Sequence, residues 1–174
     1  GGVGGVVGRG AQGESVGAGG LQEDSGAVVV ADAVKLFGGL DILVNKAGSN
    51  IRKRPEEYEL EEWRRVLDSN LTSAFIFSRA AYPELKKGSG GKVINIGSIY
   101  SIFGASHVGP YSASKGAIVQ LTKSQSVAWA ADNIQVHAVL PGWIAPELTR
   151  RARAEGKGLN QRGAARVAGG RWGL

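Results

Sequence analysis

The sequence predicts an α/β fold: a partial, doubly wound parallel sheet whose N-terminal strands are missing or disordered. Three observations predict it. Short apolar runs at 40–44 (LDILV), 92–96 (KVINI) and 135–140 (QVHAVL) have the length and composition of buried strands. Two long stretches between them carry apolar residues at helical spacing. The resulting order, strand–helix–strand–helix–strand, calls for right-handed crossovers between parallel strands, with helices on both faces.

Each element has its own signal. Residues 1–20 are half glycine, with almost no apolar periodicity. Such a segment buries too little surface to offset its ordering entropy, so residues 1–25 are expected to be poorly ordered. Residues 27–37 read as a short helix stopped by Gly38-Gly39. The 40–44 strand runs into Asn45-Lys46-Ala47-Gly48. Pro55 then opens one long helix to Lys87-Gly88, with Leu60, Trp63, Val66, Leu67, Leu71, Ala74, Phe75 and Ala81 along its stripe. Glu56, Glu57, Glu59, Glu61 and Glu62 crowd its first turns, where the helix dipole favours them. After the 92–96 strand a loop runs through Ser98, a second long helix covers 111–131, and Pro141-Gly142 closes the 135–140 strand. Ligands of such sheets bind beyond the carboxyl ends of the strands. The residues just after Val44, Ile96 and Leu140 are therefore the candidates for function.

Composition narrows the function classes. A chain of 174 residues is enough for one core. No apolar run approaches the roughly 18 residues a membrane span needs. No signal-peptide pattern is present, since glycines rather than an apolar stretch follow Arg9, and a cytoplasmic location is expected. Cysteine is absent, which excludes disulfides, thiolate metal sites and cysteine nucleophiles; no metal is expected. The net charge of +6 sits in one place. Arg150, Arg151, Arg153, Lys157, Arg162, Arg166 and Arg171 face Glu155 alone, while acids and bases balance over residues 1–149. A basic tail without interleaved aromatics or a recognisable module does not predict a nucleic-acid partner.

Tyr111 and Lys115 share one face of a helix. A free tyrosine titrates near pH 10, and a neighbouring ammonium favours its phenolate. The pair is thus a sensible acid/base unit, although Tyr and Lys also meet at this spacing on ordinary helix surfaces. Ser98, at the mouth of the 92–96 strand, can donate to a substrate oxygen that Tyr111 also touches, or can simply cap a turn. Asn70 lies in the apolar stripe of the long helix. A buried amide must be satisfied, by a water in a proton relay or by a bond to a neighbouring loop. Arg52, Lys53 and Arg54 could attract a carboxylate, or form a solvated loop balanced by the nearby glutamates.

The ordered set Asn45-x-Ala47-Gly48, Asn70, Ser98, Tyr111-Ser-Ala-Ser-Lys115 and Pro141-Gly142 resembles the classical short-chain dehydrogenases/reductases. The resemblance runs from about residue 26 to the end of the chain. Within the family, SNIRKRPEEYELEEW, INIGSIYSIFGA and LPGWIAPELTRRAR look most like the 2-deoxygluconate 3-dehydrogenase and gluconate 5-dehydrogenase branch. The resemblance implies a Rossmann-type sheet and an NAD or NADP cofactor. It implies Tyr111 as general acid/base, and Lys115 as the group that lowers its pKa and holds the nicotinamide ribose. Ser98 would orient the reacting oxygen, and Asn70 would position a water linking Lys115 to solvent. Asn45, Ala47 and Gly48 would line the adenosine side; Pro141 and Gly142 would shape the nicotinamide pocket. The chemistry would be hydride transfer between nicotinamide and a carbonyl or secondary alcohol, with a sugar acid or polyol as substrate. It further implies a homo-oligomer associating through the two long helices, which carry Trp63, Phe75, Phe77, Leu121 and Trp129. Residues 1–25 form a glycine-rich segment, 26–150 the catalytic core, and 151–174 a basic segment belonging to the substrate side.

The chain departs from the family pattern in places. Gly4, Gly8 and Gly10, and again Gly13, Gly17 and Gly19, fit Gly-x-x-x-Gly-x-Gly. Neither match follows an apolar strand or opens an amphipathic helix, so neither is expected to form a working phosphate loop. Lys46 replaces the second asparagine of the usual Asn-Asn-Ala-Gly. Two readings follow: an oxidoreductase of this family, or an inactive remnant serving at most as an interaction or assembly module.

Overall fold

The computed structural model describes residues 3–7, 13–17 and 24–142. The chain divides into two units, Gly1–Leu140 and Pro141–Leu174. Of the second, only Pro141 and Gly142 are described, and they form no regular element.

The first unit holds strands β1 (Val3–Val7) and β2 (Gly13–Gly17), helix α1 (Ser25–Phe37) and strand β3 (Ile42–Asn45). A 3₁₀ turn (Pro55–Glu57), α2 (Leu60–Leu67), a π-helical segment (Asp68–Thr72) and α3 (Ser73–Lys87) follow. Then come β4 (Lys92–Ile96), a 3₁₀ turn (Ile99–Ser101), α4 (Gly109–Trp129), a further 3₁₀ turn (Ala130–Asp132) and β5 (Gln135–Val139). The strands form one sheet in the order β2-β1-β3-β4-β5. β3, β4 and β5 are parallel, as the alternation of elements predicts, with Asn45 opposite Asn95 and Asn95 opposite Ala138.

The N-terminal half differs from expectation. Inside the span expected to be poorly ordered, Val3–Val7 and Gly13–Gly17 are strands, and β1 runs antiparallel to both β2 and β3. Backbone pairing supplies the reason. The free edge of β3 presents unpaired N–H and C=O groups that accept any extended segment, whatever its side chains bury.

The expected single helix from Pro55 to Lys87 is instead a turn and two helices joined by the π segment. Each π turn takes in one extra residue, which re-aims the side chains around it; here it is Asn70 that lies buried. Helix α1 ends as its sequence predicts, with Gly38 in the left-handed region (φ 77°) and its N–H returned to the Val34 carbonyl at 2.8 Å.

Burial alternates along the parallel strands. Leu43, Asn45, Val93, Asn95 and Val136 point to the covered face; their neighbours are half-buried or exposed. The covered face packs Val29, Val30 and Ala33 of α1 and Phe77, Ala81 and Leu85 of α3 against Leu43, Val93 and Val136. Among the described residues the helices therefore lie on one face rather than on both. Two right-handed crossovers stepping in the same direction along the sheet put their helices on the same side. The reversal that fills the other face needs parallel strands beyond β3, and the antiparallel hairpin occupies that place.

A polar chain runs through this core. Asn45 Nδ2 donates to Ser78 Oγ on α3 (3.0 Å) and to Asn95 Oδ1 on β4 (2.7 Å). Asn95 Nδ2 donates to Thr122 Oγ1 on α4 (2.9 Å), which donates in turn to the Ile118 carbonyl (2.7 Å). Four elements are thus pinned in register by groups that pair with each other instead of with water. At the opposite end of the sheet, Tyr82 and Lys86 of α3 both bind Asp132 beyond α4, and the Lys86 ammonium holds that carboxyl below its usual range.

Replacing Asn95, which is wholly buried, with alanine leaves the Asn45 amide short of an acceptor and opens a void. The expected cost is about 2–4 kcal/mol of unfolding free energy, read by urea denaturation. A loss below about 0.5 kcal/mol, the level of an ordinary surface change, would show that the chain of amides contributes nothing to the fold.

Candidate active site

The site forms where the carboxyl ends of β3 and β4 meet the first turns of α4. Its centre is Lys115. The side chain is 4% exposed, and Nζ donates to the carbonyl of Ile96, the last residue of β4, at 2.6 Å. Burial disfavours the ammonium and pulls its pKa down to about 8. The cation is therefore mostly protonated at neutral pH yet can exchange a proton near it. Nζ stands 5.8 Å from the centre of the Tyr111 ring, one helical turn earlier, so a positive charge lies beside that ring. The ring also meets Tyr100 edge-on, with centres 6.3 Å apart.

Asn70 is 2% exposed and closes the site from the side of α2 and α3. Its Oδ1 accepts the Ser49 backbone N–H (2.7 Å); its Nδ2 donates to the Ser49 carbonyl (3.0 Å) and to Ser114 Oγ (2.9 Å). Both amide protons are committed to protein. The loop-bond alternative of the sequence reading is the one the geometry realises: the side chain ties the loop after β3 to α4. That loop brings Gly48 over the lysine, where a Cβ would stand 3.6 Å from both Lys115 Nζ and Asn70 Oδ1.

Ser98 begins the 3₁₀ turn after β4. Its Oγ accepts the Tyr100 N–H at 3.2 Å and so keeps its own proton available. Its backbone N–H donates to Ser101 Oγ, which donates to the Lys115 carbonyl. Gly48, Asn70, Ser98, Tyr111 and Lys115 are thus joined by direct contacts or through one intervening residue. Asn45 is not part of that group. It shares a strand face with Leu43, two residues back, and its amide turns into the core. Ala47 lies on the loop between Asn45 and Gly48, half-buried. Pro141 and Gly142 follow Leu140, just beyond the end of β5, and fall in the second unit.

Several contributors escape the sequence motifs. Ser114 is fully buried, donating to the Tyr111 carbonyl at 2.8 Å while receiving Asn70. Its only signal is a small hydroxyl on the inner face of a helix. Ser101 had a clearer one, a serine three residues after a serine at a turn start, which is a capping pair. Tyr58 donates to the Ile51 carbonyl at 2.7 Å and lies 3.3 Å from the His107 carbonyl, fastening the loop after β3 to the approach of α4.

The basic run resolves toward its plain reading. Lys53 pairs with Glu62 at 2.6 Å and Arg54 with Glu56 at 2.9 Å, and the Lys53 contact holds the Glu62 carboxyl below its usual range. Lys46 is exposed. The basic excess of residues 150–174 lies outside the described residues.

The chain matches the family model for short chain dehydrogenases over residues 21–157. It belongs to the short-chain dehydrogenase family. A 2-dehydro-3-deoxy-D-gluconate 5-dehydrogenase from Bacillus subtilis is 42% identical over 134 residues, covering 77% of this chain and 52% of the relative. Its Escherichia coli counterpart is 40% identical, covering 82% and 56%. A gluconate 5-dehydrogenase from Burkholderia cenocepacia, solved in complex with NADP and tartrate, superposes with a TM-score of 0.81 at 30% identity, covering 87% of this chain and 59% of that one. The chain spans about half the length of the curated relatives it matches.

A dinucleotide fits the described residues in part. Lys115 places a cation at the end of β4, and Gly48 lies beside it with no side chain, where a Cβ would stand 3.6 Å from Nζ. Gly4, Gly13 and Gly17 lie inside antiparallel strands, and Gly8, Gly10 and Gly19 lie outside the described residues. A pyrophosphate needs a turn leading into a helix N-terminus.

The buried lysine makes stability pH-dependent. Its unfolded pKa is 10.5 and its folded value about 8, so the unfolded chain binds more protons between them and stability rises with pH through that window. Wild type should gain on Lys115→Met by on the order of 3 kcal/mol between pH 8 and 10.5. Parallel denaturation curves that keep a constant gap over that range would mean that Lys115 is not desolvated.

Proposed function

We propose that this chain is the catalytic part of an NAD(P)-dependent oxidoreductase acting on a carbonyl or secondary alcohol of a sugar acid or polyol. The observation that carries the reading is the hydrogen-bonded cluster around Lys115, built from the residues the family motif names. The substrate class is supported by the names of the relatives, which are dehydrogenases of gluconate-type compounds. The remnant alternative gains no support from them.

Each residue has work that its geometry suits. Tyr111 exchanges a proton with the substrate oxygen, with the Lys115 ammonium 5.8 Å from the centre of its ring. Ser98, with its acceptor side occupied by Tyr100, donates to the substrate oxygen and orients it. Lys115 has protons beyond the one given to Ile96, and these hold ribose hydroxyls. A bound nicotinamide supplies or accepts the hydride. Asn70 keeps Gly48 and Ser49 in place over the lysine.

Self-association belongs to the same proposal. Phe75, 46% exposed, lines a cavity of about 310 Å³ on the outer face of α3 and α4 together with Leu121 and Trp129. Phe77 does not take part: it is 5% exposed and sits in the core.

Two measurements test the reading. Purified chain should reduce 5-keto-D-gluconate with NADPH or NADH, or oxidise gluconate with NADP+ or NAD+, and Tyr111→Phe should lower kcat by about 100-fold or more while cofactor affinity holds. Failure of the folded chain to bind either cofactor at millimolar concentration sinks it. Sedimentation should show a dimer or larger at high concentration; a strict monomer removes the α3–α4 association.

A further inference from the structure

Ser101 closes a ring of hydrogen bonds around the end of β4. Its Oγ accepts the Ser98 N–H at 3.1 Å and donates to the Lys115 carbonyl at 2.7 Å. Lys115 returns to the strand through its other end, with Nζ on the Ile96 carbonyl at 2.6 Å. The path from Ile96 through Ser98, Ser101 and the Lys115 main chain back to Ile96 is therefore continuous. The Lys115 carbonyl can serve both its own helix and this turn because a carbonyl oxygen carries two lone pairs. Gly97 makes the approach possible: a Cβ there would stand 3.0 Å from Ser101 Oγ and 3.3 Å from Leu140 Cγ.

We propose that Ser101 is a positioning residue: its hydroxyl sets the placement of Ser98 relative to the helical turn that carries Tyr111 and Lys115. The catalytic part of this claim rests on the oxidoreductase reading; the mechanical part does not. Ser101 touches no reacting atom. It acts because proton donors that must meet one substrate oxygen lose rate steeply when one of them drifts, and the turn holding Ser98 is short and partly exposed. Removing the hydroxyl takes the acceptor from the Ser98 N–H and opens the ring on its turn side, while Nζ still holds Ile96.

The experiment compares wild type, Ser101→Ala and Ser101→Thr as full chains, by steady-state kinetics and by residue-resolved amide hydrogen exchange. Ser101→Ala should lower kcat by about 10- to 100-fold with smaller changes in KM and in cofactor affinity. Ser101→Thr, which keeps the hydroxyl, should recover most of the loss. In the exchange measurement, Ser101→Ala should speed exchange at Ser98 and also across residues 112–118, and Ser101→Thr should not. Unchanged kcat per folded molecule in the alanine variant, or no recovery with threonine, overturns the positioning role. If wild type has no turnover, the oxidoreductase reading fails alone, and exchange decides the rest. Coupled acceleration at Ser98 and residues 112–118 sustains the mechanical link; acceleration confined to Ser98 overturns it.

Discussion

A lysine ammonium held out of water is the constraint around which the carboxyl end of this sheet is arranged. Desolvating a cation costs several kcal/mol even after the protein relaxes, and burial is what lowers the Lys115 pKa. A strand-end carbonyl accepts a hydrogen bond from it. That choice keeps the charge available rather than cancelling it, and keeps the pKa near 8. The neighbours follow from it. Asn70 spends its whole amide on Ser49 and Ser114, so the loop beside the cation stays fixed without a competing charge. The Ser98 turn is fastened to the same helical turn from below.

Two sets of polar groups divide the labour between site and core. On α4, Ser114 and Lys115 face the loops that follow β3 and β4, while Thr122, two turns further on, meets Asn95 inside the sheet layer. The same helix thereby fixes the site at one end and the strand register in its middle. Asn45 belongs to the second set although the family motif groups it with Gly48. Strand alternation is the cause: a residue two positions from Leu43 points where Leu43 points, toward α3.

The N-terminal hairpin and the one-sided helices have a common origin. A parallel strand beside β3 requires a crossover of a dozen residues or more, usually a helix. The glycine tract has too little apolar surface to build one, whereas an antiparallel pair needs only backbone groups and a turn. The strands beyond β3 are therefore of the kind that a glycine-rich chain can make.

The sequence by itself determined the three parallel strands, their order of connection and that helical segments lie between them, because those follow from runs and spacings local to the chain. Its resemblance to the short-chain dehydrogenases also marked Asn70, Ser98, Tyr111 and Lys115 as candidates, and the structure brings these four close together. Tertiary structure alone decided what each of them touches. That Asn70 is spent on Ser49, that Asn45 serves the core, and that Ser101 links Ser98 to Lys115 all depend on contacts between segments 14 to 50 residues apart or on the π turn that re-aims Asn70. Periodicity tells which face of an element a residue occupies. It does not tell which group from another element arrives there, because that depends on how strand pairing and helix docking are settled together.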